Sequence, residues 1–373
     1  MMLSLENATD INITSGPTTP YFYTFLDAKK RKVVEIVMDY VVIFGISVIG
    51  VVTNTLVILV YTKQGFRESV AVSMTTISLW DLIKCIAGIM NTFSGILSLF
   101  DPVAAQSWQN ISTAVFNYLI SFSSYVTSVM AAYVAVERCL CVTIPLKVKW
   151  LLTPRVTLIS CVVISIVVFG AFAVMFGIYD IVWTWNASLN ATVAIYRKSD
   201  FYVSNEVPLF AYYNLSGILW PLAAFLVILV ATIIIVVKLR EGSKFRVGTQ
   251  TSTFSKQGEH YSNSKKSGYQ DTHVQKHLKR DRQVVKMLLV IIIIYIASLA
   301  PRIANYLAKY FVYDFYFLRR HHYLFEFVTY GVLFADSSNG AVNFFVFYTM
   351  SSSFRTTFRA MACASKSSPS FST

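Results

Sequence analysis

The sequence predicts an all-α membrane protein: a seven-transmembrane helix bundle with a short amphipathic eighth helix. Three observations carry this expectation. Hydrophobic residues make up 55% of the 373-residue chain and charged residues only 14%, too few to clothe a soluble surface of this size. Seven apolar stretches each reach the roughly 20 residues that a helix needs to cross a hydrocarbon core of about 30 Å. The basic excess behind the formal charge of +13 lies between those stretches and not in a soluble nucleic-acid-binding pattern. It therefore reads as a topology signal, with lipid as the solvent and no nucleic acid as partner.

Residues 1–38 form an N-terminal segment that lacks an apolar run behind a basic flank. This segment does not read as a cleavable signal peptide, so the first helix would carry the targeting information. A membrane domain spans residues 39–350, with helices at about 39–61, 69–100, 113–140, 155–179, 207–239, 282–308 and 323–348. Four of these have charge-free cores, namely Val41 to Tyr61, Ala114 to Val136, Val156 to Tyr179 and Val207 to Val237. The other three are interrupted by Asp81 and Lys84, by Arg302, and by Asp336. An ionisable group at helix centre costs about 2.5–3.5 kcal/mol on insertion scales, so these three helices should turn their charges toward the bundle interior. Residues 240–281, rich in Ser, Thr, Gly, Lys and His, read as a disordered cytoplasmic loop, and 351–373 as an eighth helix and tail.

Lysines and arginines concentrate after helices one, three, five and seven, which puts those ends in the cytoplasm and the N-terminus outside at the plasma membrane. The cluster Lys29 to Lys32 votes the other way. Six Asn-x-Ser/Thr sequons, at Asn7, Asn12, Asn110, Asn186, Asn190 and Asn214, all fall on the side this topology makes external. They are the predicted glycosylation sites. The five cysteines form no visible disulfide framework, and the five histidines have no metal-ligand spacing within a helix. No metal or cofactor is implied, and no helix pairs titratable groups in an enzyme-like arrangement.

Local motifs sharpen the picture. Glu137-Arg138-Cys139 ends helix three, with Pro145-Leu146 behind it. Helix one contains Gly50 and Asn54, helix two Leu79 and Asp81, helix five Pro221, helix six Pro301, and helix seven Asn343-Phe-Phe-Val-Phe347 with Phe354-Arg355 after it. In order and placement these resemble the motifs of rhodopsin-like G protein-coupled receptors, over roughly Val41 to Arg359. The pattern around Glu137 and after helix seven further resembles invertebrate receptors of the chemosensory and neuropeptide (FMRFamide-type) kind.

The resemblance implies a receptor that passes an extracellular chemical signal to a heterotrimeric G protein, with arrestin and a receptor kinase as further partners. It implies that Glu137 and Asp281 hold Arg138 at rest, and that Asn54, Asp81, Thr127, Asn339 and Asn343 form a polar core able to hold sodium. Pro221 and Pro301 would kink their helices, and Cys363 is a palmitoylation candidate beside the amphipathic stretch. Ser365, Ser367, Ser368 and Ser370 are kinase sites by composition.

The departures are as informative. Thr113 stands where the family has the helix-three cysteine of its outer disulfide, and no cysteine lies between Ile178 and Tyr213, so the second outer loop is held by packing or is mobile. The helix-four tryptophan is missing, helix six reads Ser298-Leu-Ala-Pro301, and Phe344 and Phe347 replace a proline and a tyrosine.

At the candidate ligand pocket, Ile120 occupies the place of the amine receptors' acid and Ser337 lies near that of the opsins' lysine, so neither ligand class fits. Lys84, Arg302 and Asp336 supply the pocket's charge. Two readings stay open: Lys84 pairs with Asp81 or Asp336 in place of sodium, or Lys84 and Arg302 receive an anionic ligand group. The aromatic and basic segment Tyr310 to Tyr323 suits a peptide ligand or the membrane interface. A small molecule remains the other ligand class. A transporter or channel, or a receptor that binds without signalling, is the competing reading.

Overall fold

A computed structural model describes residues 33–256, 290–312 and 314–366, apart from 35, 291 and 316–318. The predicted sites Asn7, Asn12 and Asp281 lie outside the described residues.

Eight principal helices run in order: α1 (Val37–Gln64), α2 (Ser69–Thr92), α3 (Pro102–Thr143), α4 (Pro154–Phe172), α5 (Glu206–Lys256), α6 (292–311), α7 (His322–Met350) and α8 (Ser352–Lys366). A hairpin of β1 (Tyr179–Asn186) and β2 (Ala191–Lys198) joins α4 to α5. By length and composition, the apolar segments of α1 to α5 can each cross a bilayer. At 29 residues α7 is also long enough, and the polar run from Asp336 to Asn339 dilutes its apolar character. The chain is a helical membrane bundle, and its lipid-facing surface is correspondingly apolar, as at Ile159, Ile166, Val230 and Ile233.

Helix α3 is the axis of the bundle, packed against α2, α4 and α5, while α7 packs on α1 and α2. An aromatic column fixes α3 to α4: Phe122 and Tyr125 each stack on Phe172 with ring centroids 4.7 Å apart. Trp80 of α2 donates from its indole to Ser165 of α4 at 2.9 Å, tying α2 to α4.

Three boundaries and one helix type differ from the sequence reading. Helix α3 starts at Pro102, eleven residues before the predicted 113, because Asp101 caps it by accepting from Val103 N and Ala104 N while Pro102 fills the first turn. Helix α2 stops at Thr92, followed by the single turn Ser94–Leu97. Helix α5 continues to Lys256, so the first part of the segment read as a disordered loop is helical. The first turns of α1, Val37–Ile43, are π-helical, with i→i+5 in place of i→i+4 hydrogen bonding. Both Pro221 and Pro301 lie inside continuous helices. Pro221 cannot bond the carbonyl of Gly217, and Tyr306 of α6 packs there: a Cβ on Gly217 would lie 2.9 Å from its ring.

Candidate functional site

Asp81 is the hub of the polar core. Fully buried, it accepts from Lys84 Nζ at 2.7 Å through Oδ1 and from Asn343 Nδ2 at 3.1 Å through Oδ2. The i, i+3 spacing of Asp81 and Lys84 puts both on one helix face, and this partner wins over Asp336. Gly340 makes the arrangement possible, because a Cβ there would lie 3.0 Å from Lys84 Nζ and 3.4 Å from Asp81 Oδ1. Asn54 ties α1 to α7 by donating to the carbonyls of Gly50 and Gly340 at 2.9 and 2.8 Å. Asn339 is buried beside Tyr295, and its Oδ1 has no hydrogen-bond partner among the described residues. Thr127 is buried too, but it donates to the Ser124 carbonyl of its own helix and takes no part in the hydrogen bonding of Asp81.

A second buried charge pair lies between α6 and α7, where Arg302 salt-bridges Asp336. Arg302 also lies 5.1 Å over the ring of Tyr125, whose hydroxyl is 2.5 Å from that of Tyr306. Lys84 and Arg302 are thus each neutralised by their own carboxylate. An anionic ligand group received by both would have to compete with these preorganised buried partners. Ile120 is buried at the wall of a cavity that Lys84 also lines.

The far end of α3 holds Glu137 and Arg138, both buried, with Arg138 Nη2 3.4 Å from Glu137 Oε1. Ser73 of α2 donates to the other carboxylate oxygen at 3.3 Å, and Arg138 Nη1 approaches Cys141 Sγ at 3.9 Å. On the same side, Phe344 and Phe347 pack against Phe354 of α8, and Gln64 at the end of α1 donates to Thr357 of α8 at 3.1 Å. The two phenylalanines that replace the family's proline and tyrosine therefore seat α8. Cys363 is exposed on that helix.

At the opposite end, the hairpin is held without sulfur. All five cysteines are free thiols. Ser107 and Asn110, one turn apart on α3, clasp Ala194 of β2: Ala194 N donates to Ser107 Oγ at 3.2 Å, and Asn110 Nδ2 donates to the Ala194 carbonyl at 2.7 Å. This corrects the glycosylation expectation for Asn110, whose buried side chain has no room for a glycan. Asn214 lies near the start of α5, where it donates to the Phe210 carbonyl of its own helix. Asn186 and the exposed Asn190 stay at the hairpin turn, where Asn190 adopts φ 48°, a left-handed conformation that asparagine tolerates. Beyond the hairpin, Lys198 pairs with Glu206 at 2.8 Å; the hydrogen bond lifts the lysine's pKa above its ordinary value, but with both side chains half exposed it adds little stability. Asn110→Ala is expected to cost about 1–2 kcal/mol, because it leaves a buried carbonyl unpaired, and to speed hydrogen exchange in β2 while leaving α7 unchanged.

Among families of known proteins, the one described as "Serpentine type 7TM GPCR chemoreceptor Srw" matches residues 41–365. The chain belongs to this family. The chemoreceptor is therefore a multi-pass membrane receptor that transduces chemical cues through a G protein, and the transporter, channel and decoy alternatives are not favoured. No curated protein matches it.

Two features of the chemoreceptor escape the sequence reading. Ser107 and Asn110 sit in a stretch too polar to look like membrane helix, and Asn110 looks like a glycan acceptor; only the cap signal Asp101-Pro102 could have extended α3 far enough to find them. The Tyr125 to Tyr306 contact had no local signal at all, because its partners are 181 residues apart.

Proposed function

We propose that the chemoreceptor works in the manner of rhodopsin-like receptors, with the hairpin and N-terminus outside and Arg138 as the stored contact for the G protein. The observation that carries this reading is the burial of Glu137 and Arg138 together at the α8 end of α3, under Ser73 of α2. A guanidinium held sideways by its neighbouring carboxylate is withheld from solution, and displacement of α6 would free it. Asp281 is proposed as the second acid of this lock. Lys84 serves as a tethered counter-cation for Asp81 in the place of sodium, supported by its 2.7 Å contact and by Gly340.

Further proposals follow from placement. Asn7, Asn12, Asn186 and Asn190 are the glycosylation sites, Cys363 is the palmitoylation site that tethers α8 to the inner leaflet, and the serines of the tail recruit a kinase and arrestin. The ligand is a chemosensory small molecule in preference to a neuropeptide, in keeping with the chemoreceptor family that the chain matches.

Glu137→Gln tests the lock. Loss of an ion pair that favours the resting state by about 1 kcal/mol raises ligand-free nucleotide exchange on a heterotrimer about fivefold, and adding Arg138→Ala abolishes the gain. Unchanged exchange in Glu137→Gln, at normal receptor abundance, would show that the carboxylate does not restrain Arg138.

A further inference from the structure

Two buried cations of the bundle, Lys84 and Arg302, have carboxylates of their own in Asp81 and Asp336. A further cation, Lys309, lies about two turns along α6 from Arg302 and so on the same face of that helix. Its ammonium sits between rings of two helices, 3.9 Å from the ring centre of Tyr306 on α6 and 5.5 Å from that of Phe325 on α7. Tyr306 in turn meets Tyr125 of α3 through its hydroxyl, and Phe325 packs edge-on against Phe315 with centroids 5.6 Å apart. The lysine therefore turns into the outer end of the bundle and not toward lipid.

Nothing anionic meets it there. Among the described residues Lys309 forms no ion pair and no hydrogen bond, and the charged group that acts on it is the Arg302 guanidinium, of like sign. The two rings offer their negative faces but no lone pair, so the three N–H donors of the ammonium lack an acceptor among the described residues. A half-buried ammonium in this position has given up hydration for a partial return. One turn deeper, at the i, i+4 spacing that makes helix neighbours, Asn305 is 6% exposed, and its amide oxygen also has no hydrogen-bond partner among the described residues.

We infer that Lys309 anchors a small organic carboxylate that enters at the hairpin end between α6 and α7. The oxyanion meets the ammonium, the apolar body lies against Tyr306 and Phe325, and the Asn305 oxygen accepts from a hydroxyl or amide N–H of the same molecule. The inference deepens the receptor reading proposed above and rests on it. A monoanion fits better than a doubly charged phosphate monoester, because Arg302 is already committed to Asp336 and leaves one unpaired cation. A cationic ligand is repelled by Lys309, and a neutral one leaves its charge unmet.

The test is thermal unfolding of the full-length receptor, purified in an uncharged detergent, against four probe sets: lactate, mandelate and N-acetylalanine; the methyl esters of these acids; choline; and dihexanoyl phosphatidylglycerol. The acids are expected to raise the unfolding midpoint with saturation, and the esters and choline to leave it in place. Lys309→Gln should weaken half-saturation by about tenfold or more, whereas Lys309→Arg, which keeps the charge, should hold it within about threefold. Because Lys309 has no acid to orphan, Lys309→Gln should unfold at the native midpoint without probe; Lys309→Met substitutes if it does not. No shift from the acids, an equal shift from their esters, or a shift that Lys309→Gln leaves unchanged overturns the assignment. A shift from the phospholipid alone overturns it too, since the lysine would then be an anchor for lipid headgroups. Because the readout needs no G protein, acids that move the midpoint without raising nucleotide exchange would refute the signalling role and leave the site standing. Raised ligand-free exchange in Glu137→Gln, with no shift from the acids, would do the reverse.

Discussion

Asp336→Ala is expected to cost the receptor about 3–5 kcal/mol of stability, because it leaves the Arg302 guanidinium buried without its counter-charge. The pair links α6 to α7, and both side chains are almost wholly excluded from solvent. Desolvation makes the intact pair a modest net contributor, whereas the orphaned charge is a large penalty. The double substitution Arg302→Met with Asp336→Leu should therefore recover most of the loss. Thermal unfolding in detergent reads this directly. Singles and double that fall equally would mean the pair matters for shape and not for charge. Tyr125 softens the penalty only in part, since a cation over an aromatic face is worth about 0.5–2 kcal/mol.

The second large effect is expected from Lys84→Ala. Removal of the ammonium leaves the Asp81 carboxylate buried with only Asn343 donating to it, and it frees the space that Gly340 keeps open. Stability should fall by a similar amount, about 3–5 kcal/mol, when no small cation is present. Sodium should then restore part of it, since a ligand that binds only the folded state stabilises in proportion to the logarithm of its concentration. The native receptor, already carrying its own cation, should unfold at the same temperature in sodium and in choline. A native receptor that is stabilised by sodium, together with a Lys84→Ala variant that is not, would remove the counter-cation role.

The seven apolar segments and the inward direction of Asp81, Lys84, Arg302 and Asp336 were legible in the sequence, because the cost of a charge in lipid leaves few arrangements. Choosing partners was harder. Spacing alone allowed Lys84 to reach Asp81 or Asp336, and the choice fell to a tertiary fact, the presence of Arg302 opposite Asp336. Hydropathy placed the start of α3 too late, since Ser107, Gln109 and Asn110 are polar for the sake of the hairpin they hold. The hairpin was written in the alternation of Ile181, Trp183 and Trp185 with a turn at Asn186 to Asn190, a weak signal between two strong helices. The π-helical turns around Asp39, which pack against α2 and α7, had no signature in the sequence.

The fastening of Ala194 by two polar side chains has a practical sequel. A lid secured through covalent sulfur comes loose in reductant, and its protein must pass through an oxidising compartment to mature. Here dithiothreitol has nothing to cleave, so the hairpin keeps its attachment to α3 whatever the thiol balance around it.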